Sequence, residues 1–98
     1  MNITTQKTNP KYAPRILRKP EVIALTNLSK STLYNRVKDG LMPPSISLGA
    51  RAQGFIASEV YAVLDAMCQE KTPEQIKQLV QELINQRTKA DRGATWIN

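Results

Sequence analysis

The residues Leu28-Ser29-Lys30-Ser31-Thr32-Leu33-Tyr34-Asn35-Arg36-Val37-Lys38-Asp39-Gly40-Leu41 read as one short helix with both ends marked. The Ser29 hydroxyl can accept a free N–H of the first turn, which makes it an N-cap. Gly40 suits the position just past the last turn, where a left-handed residue ends a helix and a Cβ is penalised. Pro43 and Pro44 then stop the helix from resuming. At roughly 100° per residue, Leu33 and Val37 fall together and face a core. Ser31, Tyr34, Asn35 and Lys38 fall on the far side, with Thr32 at its margin and Arg36 at the edge of the buried face. That outer face holds no acid. Asn can bond adenine bidentately, Ser and Thr can bond several base edges, and Tyr and Lys can reach phosphates. An ordinary solvated helix face would look the same, so the neighbouring segments have to decide.

Immediately upstream, Lys19-Pro20-Glu21-Val22-Ile23-Ala24-Leu25-Thr26 predicts a helix of about two turns. Pro20 fits the first helical position, and Glu21 sits where the helix dipole favours a negative charge. Val22 and Leu25, three apart, are its expected core face. Asn27-Leu28 leaves only a tight connection into Ser29. Two short helices joined so briefly form a helix-turn-helix, the second being the recognition helix. A plain helical hairpin is the alternative, and the positive, acid-free second helix weighs against it. Further upstream, Arg15-Ile16-Leu17-Arg18 is an apolar-centred segment expected to dock on the core. Residues 1–14 are polar, with Pro10 and Pro14, and read as a flexible arm.

Downstream, Ser45-Ile46-Ser47-Leu48 alternates, a Gly-bounded loop follows, and Gly54-Phe55-Ile56 resumes. This predicts a two-stranded hairpin with its tip near Gly49-Ala50-Arg51-Ala52, longer than a two-residue turn. A hairpin after a helix-turn-helix is a wing, and Arg51 at its tip is placed to meet a phosphate or the minor groove. From Ser58 (or Ala57) to Cys68 a third helix is expected, with Ser58 near its cap and Val60, Val63, Leu64 and Met67 as a core stripe. Cys68 reads as a small apolar residue near its end. Thr72-Pro73-Glu74-Gln75 is a second start signal, a cap, a first-turn proline and a capping-box glutamine. The helix from 73 to about 89 carries Ile76, Leu79, Val80, Leu83 and Ile84 on one stripe. Because 15–67 already reads as a closed unit, a homodimer through that stripe is slightly favoured over packing within the chain. Residues 91–98 read as a tail whose Trp96 could dock on the last helix. The expected organisation is thus an arm at 1–14, a DNA-binding domain at 15–68, a C-terminal amphipathic helix at 72–90 and a tail at 91–98.

Charge supports the same division. The 98 residues carry a net +6. Residues 1–58 hold nine Lys or Arg against Glu21 and Asp39, a balance of +7, whereas 59–98 hold five basic and six acidic residues, a balance of −1. The positive charge belongs to the half with the helix-turn-helix, the electrostatic footprint of a polyanion binder. One cysteine and no histidine exclude an intrachain disulfide, a Cys/His zinc site within one chain and His-based triads. No nucleophile–base pair or phosphate-binding glycine loop is visible, so no enzymatic activity, cofactor or metal is expected. With no apolar signal-peptide core and no bilayer-spanning run, the expected location is the cytoplasm.

Residues 15–67 resemble the AlpA family of phage and prophage regulators. The resemblance lies in Arg15-Ile16-Leu17-Arg18-Lys19-Pro20-Glu21-Val22, in Leu28-Ser29-Lys30-Ser31-Thr32-Leu33-Tyr34 and in Gly40-Leu41-Met42-Pro43. It continues through Leu48-Gly49-Ala50-Arg51-Ala52-Gln53-Gly54-Phe55 and Ser58-Glu59-Val60, in the family's order and spacing. It implies a mainly α winged helix-turn-helix with a small β-hairpin wing, of the type shared with excisionases and MerR-like domains. It also implies control of prophage or mobile-element genes, typically at an integrase or excision promoter. The Ser31-Thr32-Leu33-Tyr34 run is then the recognition helix and Arg51 the wing arginine. The family often has Trp where this chain has Phe55, and the helix from 73 onward lies beyond the family's short core.

The leading expectation is a sequence-specific DNA-binding transcriptional regulator on double-stranded DNA. Lys30, Arg36, Lys38 and Arg51 would contact phosphates, and Ser31, Thr32, Tyr34 and Asn35 would read base edges. One alternative is an architectural recombination factor of the excisionase kind, which would bend DNA. Another is a protein-interaction module such as an antirepressor, with the C-terminal helix binding the partner.

Overall fold

Gly54 sits where three strands come closest, and any side chain there would collide with Ile16 Cγ2 and crowd Leu48 Cδ1. A computed structural model describes residues 14–93, and side-chain surroundings over 14–87. In chain order the elements are β1 (Ile16–Leu17), α1 (Lys19–Thr26), α2 (Lys30–Lys38), β2 (Ile46–Gly49), β3 (Ala52–Ile56), α3 (Ala57–Cys68) and α4 (Pro73–Gly93). The strands form an antiparallel sheet in the order β1-β3-β2. The fold is a winged helix-turn-helix: α1 and α2 are the helix-turn-helix pair, β2 and β3 the wing, and α3 and α4 the support.

The segment at 15–18, expected only to dock, is a third strand. Ile16 lies opposite Ile56 and Leu17 opposite Phe55, and Leu17 is buried in the core. The wing turn is tighter than expected. The strands reach Gly49 and Ala52, leaving only Ala50-Arg51 at the tip. Gly49 (φ 104°) and Ala50 (φ 47°) take left-handed conformations, and the register shifts between Ser47 and Gly49. Such an irregularity lets a short turn follow the twist of the strands.

Helix α1 opens on a reciprocal pair. The Arg18 N–H donates to Glu21 Oε1 at 2.7 Å, and the Glu21 N–H donates to the Arg18 carbonyl. The helix starts one residue early, so Pro20 is its second residue. Only Val22 is fully buried here, and Leu25 is 41% exposed. The wheel explains the difference. The half-buried Thr26 and Ile23 lie on the opposite side of Val22 from Leu25, and they define the inward face. The left-handed Asn27 (φ 60°) ends α1 and turns the chain directly into α2.

In α3, Ser58 is exposed and caps nothing. The residue before the helix is Ile56, the end of β3, with no side-chain cap. The Ala57 N–H instead donates to the Arg15 carbonyl at 2.9 Å, so strand pairing with β1 satisfies a donor that a cap would otherwise take. Val60 and Val63 are buried as expected, joined by Ala57 and Ala66, while Leu64 and Met67 are half-buried. Cys68 is exposed, not tucked against the core. The helix ends on Glu70 in a left-handed conformation (φ 57°), with the Glu70 N–H on Met67 and the Lys71 N–H on Ala66.

Thr72 and Gln75 cap α4 reciprocally, at 2.9 and 3.1 Å. The apolar stripe that favoured a homodimer is used within the chain. Ile76 and Val80 are buried in the same core as α3, and Leu79, Leu83 and Ile84 pack partly against it. The helix also runs to Gly93, past the boundary expected at 90. The expectations for the arm at 1–13 and for Trp96 lie outside the described residues.

Candidate nucleic-acid interface

Helix α2 is built as its capping chemistry requires. The Thr32 N–H donates to Ser29 Oγ at 3.1 Å, and Ser29 Oγ donates to Thr32 Oγ1 at 2.8 Å. Ser31 Oγ stands 3.4 Å from Ser29 Oγ. Three hydroxyls therefore form one cluster at the start of α2, and Thr32 Oγ1 keeps its own O–H free to donate. At the other end Gly40 is left-handed (φ 80°). The Gly40 N–H reaches the Val37 carbonyl and the Leu41 N–H the Arg36 carbonyl, which closes the last turn.

Leu33 anchors α2 in the core, with Val37 half-buried beside it. Lys30, Ser31, Thr32, Tyr34, Asn35 and Lys38 are all exposed, Tyr34 at 68%. Arg36 is half-buried, at the edge where the wheel puts it. Arg36 and Lys38 stand in the last turn, where cations favour the helix dipole. Arg51 is exposed at the wing tip.

Between α2 and the wing lies an open cleft of about 830 Å³. Of the residues singled out in the sequence, Lys30, Ser31 and Tyr34 line it. Thr32, Asn35, Arg36, Lys38 and Arg51 do not line it. Four polar residues not expected from the sequence to meet DNA also line it: Lys19, Ser29, Ser45 and Gln53. The Ser45 hydroxyl donates to Gln53 Oε1 at 3.2 Å, which leaves the Gln53 amide N–H groups unused by that bond and exposed. In the sequence Ser29 reads as the N-cap of α2 and Lys19 as the start of α1, and nothing local brings them beside Ser45 and Gln53. Leu33, Val37 and Phe55 form the apolar floor.

Behind this face Glu59 of α3, 5% exposed, accepts two hydrogen bonds from Arg87 of α4, Nε to Oε2 at 2.7 Å and Nη2 to Oε1 at 2.6 Å. Arg87 Nη2 also donates to the Pro44 carbonyl at 2.8 Å. The hydrogen bond to Glu59, with the ionic attraction, raises the Arg87 pKa above its ordinary value despite burial. The arginine is therefore a permanent cation in a bidentate pair.

The family described as the prophage CP4-57 regulatory protein (AlpA) matches residues 15–65, just over half of the chain. The chain belongs to the AlpA family. The matched AlpA segment begins at β1 and ends inside α3, so α4 lies outside it. Over 48 residues the chain is 46% identical to an uncharacterized protein, ORF88, of Enterobacteria phage P4. That match covers 49% of this chain and 54% of the phage protein, so the chain spans about half the length of this relative. No solved structure matches the chain. Among the described residues no helix is long and apolar enough to cross a membrane, and no three His, Cys, Asp or Glu residues could hold a metal.

Proposed function

We propose that this AlpA-family regulator binds double-stranded DNA in a sequence-dependent way, with α2 in the major groove and the wing on the adjoining backbone. The observation that carries the reading is the outward face of α2. It is capped at both ends, anchored by Leu33, free of acidic side chains from Lys30 to Lys38, and flanked by an arginine-tipped wing. Lys30, Arg36, Lys38 and Arg51 supply phosphate contacts, and Ser31, Thr32, Tyr34 and Asn35 face the bases. Lys19, Ser45 and Gln53 join them along the cleft. The control of an integrase or excision operon belongs to the same proposal, supported by the family of prophage regulators to which the chain belongs.

The test is the salt dependence of binding to duplex DNA, measured by fluorescence anisotropy. Removing one cation that neutralises a phosphate should lower the slope of log affinity against log salt by about 0.9. Lys38→Ala and Arg51→Ala should each lower it by about that amount and weaken binding similarly on all sequences. Absence of binding at low salt would refute the reading and favour a protein partner.

A further inference from the structure

We propose that Arg87 of α4 is a positioning residue for the wing, one that sets where β2 and β3 stand relative to the recognition helix. This inference rests on the DNA-binding reading of α2 and the wing. Between α2 and β2 the chain passes through Leu41-Met42-Pro43-Pro44-Ser45. Met42 and Pro43 are fully buried and pin this segment to the core. Pro44 is the exposed step after them, and its carbonyl is held by Arg87 Nη2 at 2.8 Å. β2 starts two residues later and, among the described residues, is an edge strand paired with β3 alone. The anchor at Pro44 is thus the last tertiary hold before the wing.

The guanidinium is suited to that task. Its plane is fixed by two bonds to the buried Glu59 carboxylate, and the nitrogen that bonds Oε1 also bonds the Pro44 carbonyl. A pair needed only to join α3 to α4 would stop at Glu59. The third bond is aimed at the segment that leads into β2. Pro44 and Ser45 then form one wall of the cleft whose other wall carries Lys30, Ser31 and Tyr34. A helix beyond the family's matched segment therefore holds the spacing between the two DNA-facing elements. A lysine has the charge without the planar fork and cannot hold both partners in this way.

The test compares full-length wild type, Arg87→Lys and Arg87→Met at a temperature where all are folded by circular dichroism. Each carries, in turn, Asn35→Ala and Arg51→Ala, and the probe is the duplex that wild type binds best. In wild type, Arg51→Ala should weaken binding about fivefold, the low end for an arginine that meets DNA. In the Arg87→Met background that penalty should shrink below about twofold, because the wing no longer stands where its arginine meets DNA. The Asn35→Ala penalty should stay unchanged, and Arg87→Lys should behave like Arg87→Met. Equal penalties for Arg51→Ala in all backgrounds would overturn the inference, as would equal shrinkage of both penalties. If wild type binds no duplex, the DNA reading fails while the positioning role is still judged by NMR relaxation. In Arg87→Met, backbone amide order parameters over 45–49 should fall from about 0.85 toward 0.6, with α2 and α3 unchanged. Unchanged values over 45–49 would overturn it.

Discussion

Replacing Arg87 by methionine keeps the aliphatic stem and removes the fork that grips Glu59. The carboxylate left behind is 6% exposed, so water reaches it poorly. It loses two hydrogen bonds of 2.6 and 2.7 Å from a charged donor. Removing one partner of a buried pair costs about 3–5 kcal/mol. Arg87 is itself 23% exposed, so solvent screens part of the interaction, and the expected loss is nearer about 2–3 kcal/mol. In a domain of this size that lowers Tm by about 10–20 °C. Urea unfolding followed by circular dichroism measures it. Glu59→Gln with Arg87→Met removes both charges, and the double variant should recover about 1–2 kcal/mol relative to the sum of the single losses. A loss below about 0.5 kcal/mol for Arg87→Met, the range of an ordinary surface substitution, would refute the reasoning. So would strict additivity of the two substitutions.

Other substitutions probe the remaining joints of the fold. Gly54→Ala drives a methyl into Ile16 and should cost about 1–3 kcal/mol in urea unfolding, as overpacking does. Ser29→Ala removes the acceptor for the Thr32 N–H and should cost about 1 kcal/mol by the same measurement. Glu70 closes α3 in a left-handed conformation with nothing but exposed surface around it. Glu70→Gly should therefore raise stability by about 0.5–1 kcal/mol, read as a higher urea midpoint with unchanged slope.

The parts of the fold that are legible in the sequence are those written in local chemistry. Ser29 and Gly40 bound α2, and Thr72, Pro73 and Gln75 start α4, because caps act on neighbours within one turn. The outward face of α2 follows from the same periodicity that buries Leu33. What escapes a local reading is set by partners far along the chain. β1 is two residues long with no turn signal, and its pairing partner lies some forty positions away at Phe55 and Ile56. That pairing also explains Ser58, because the backbone of Arg15 does at α3 what a cap would do. The spacing of three misplaces Leu25 because it fits either side of Val22. The stripe of α4 announces burial but not against what. Ile76 and Val80 are buried in the same core cluster as Val60, Val63 and Ala66 of α3. Lys19, Ser45 and Gln53 join the cleft only once the wing folds beside α2, and the Glu59–Arg87 pair spans 28 positions.

Selection of random duplex DNA with sequencing, at two salt concentrations and for both wild type and Asn35→Ala, tests sequence-dependent DNA binding most directly. The expected result is an enriched motif for wild type that broadens at one base position in Asn35→Ala, with about 1–3 kcal/mol lost on the best site. Binding without any enriched motif, or a loss for Asn35→Ala that is equal on every sequence, would contradict base reading by α2.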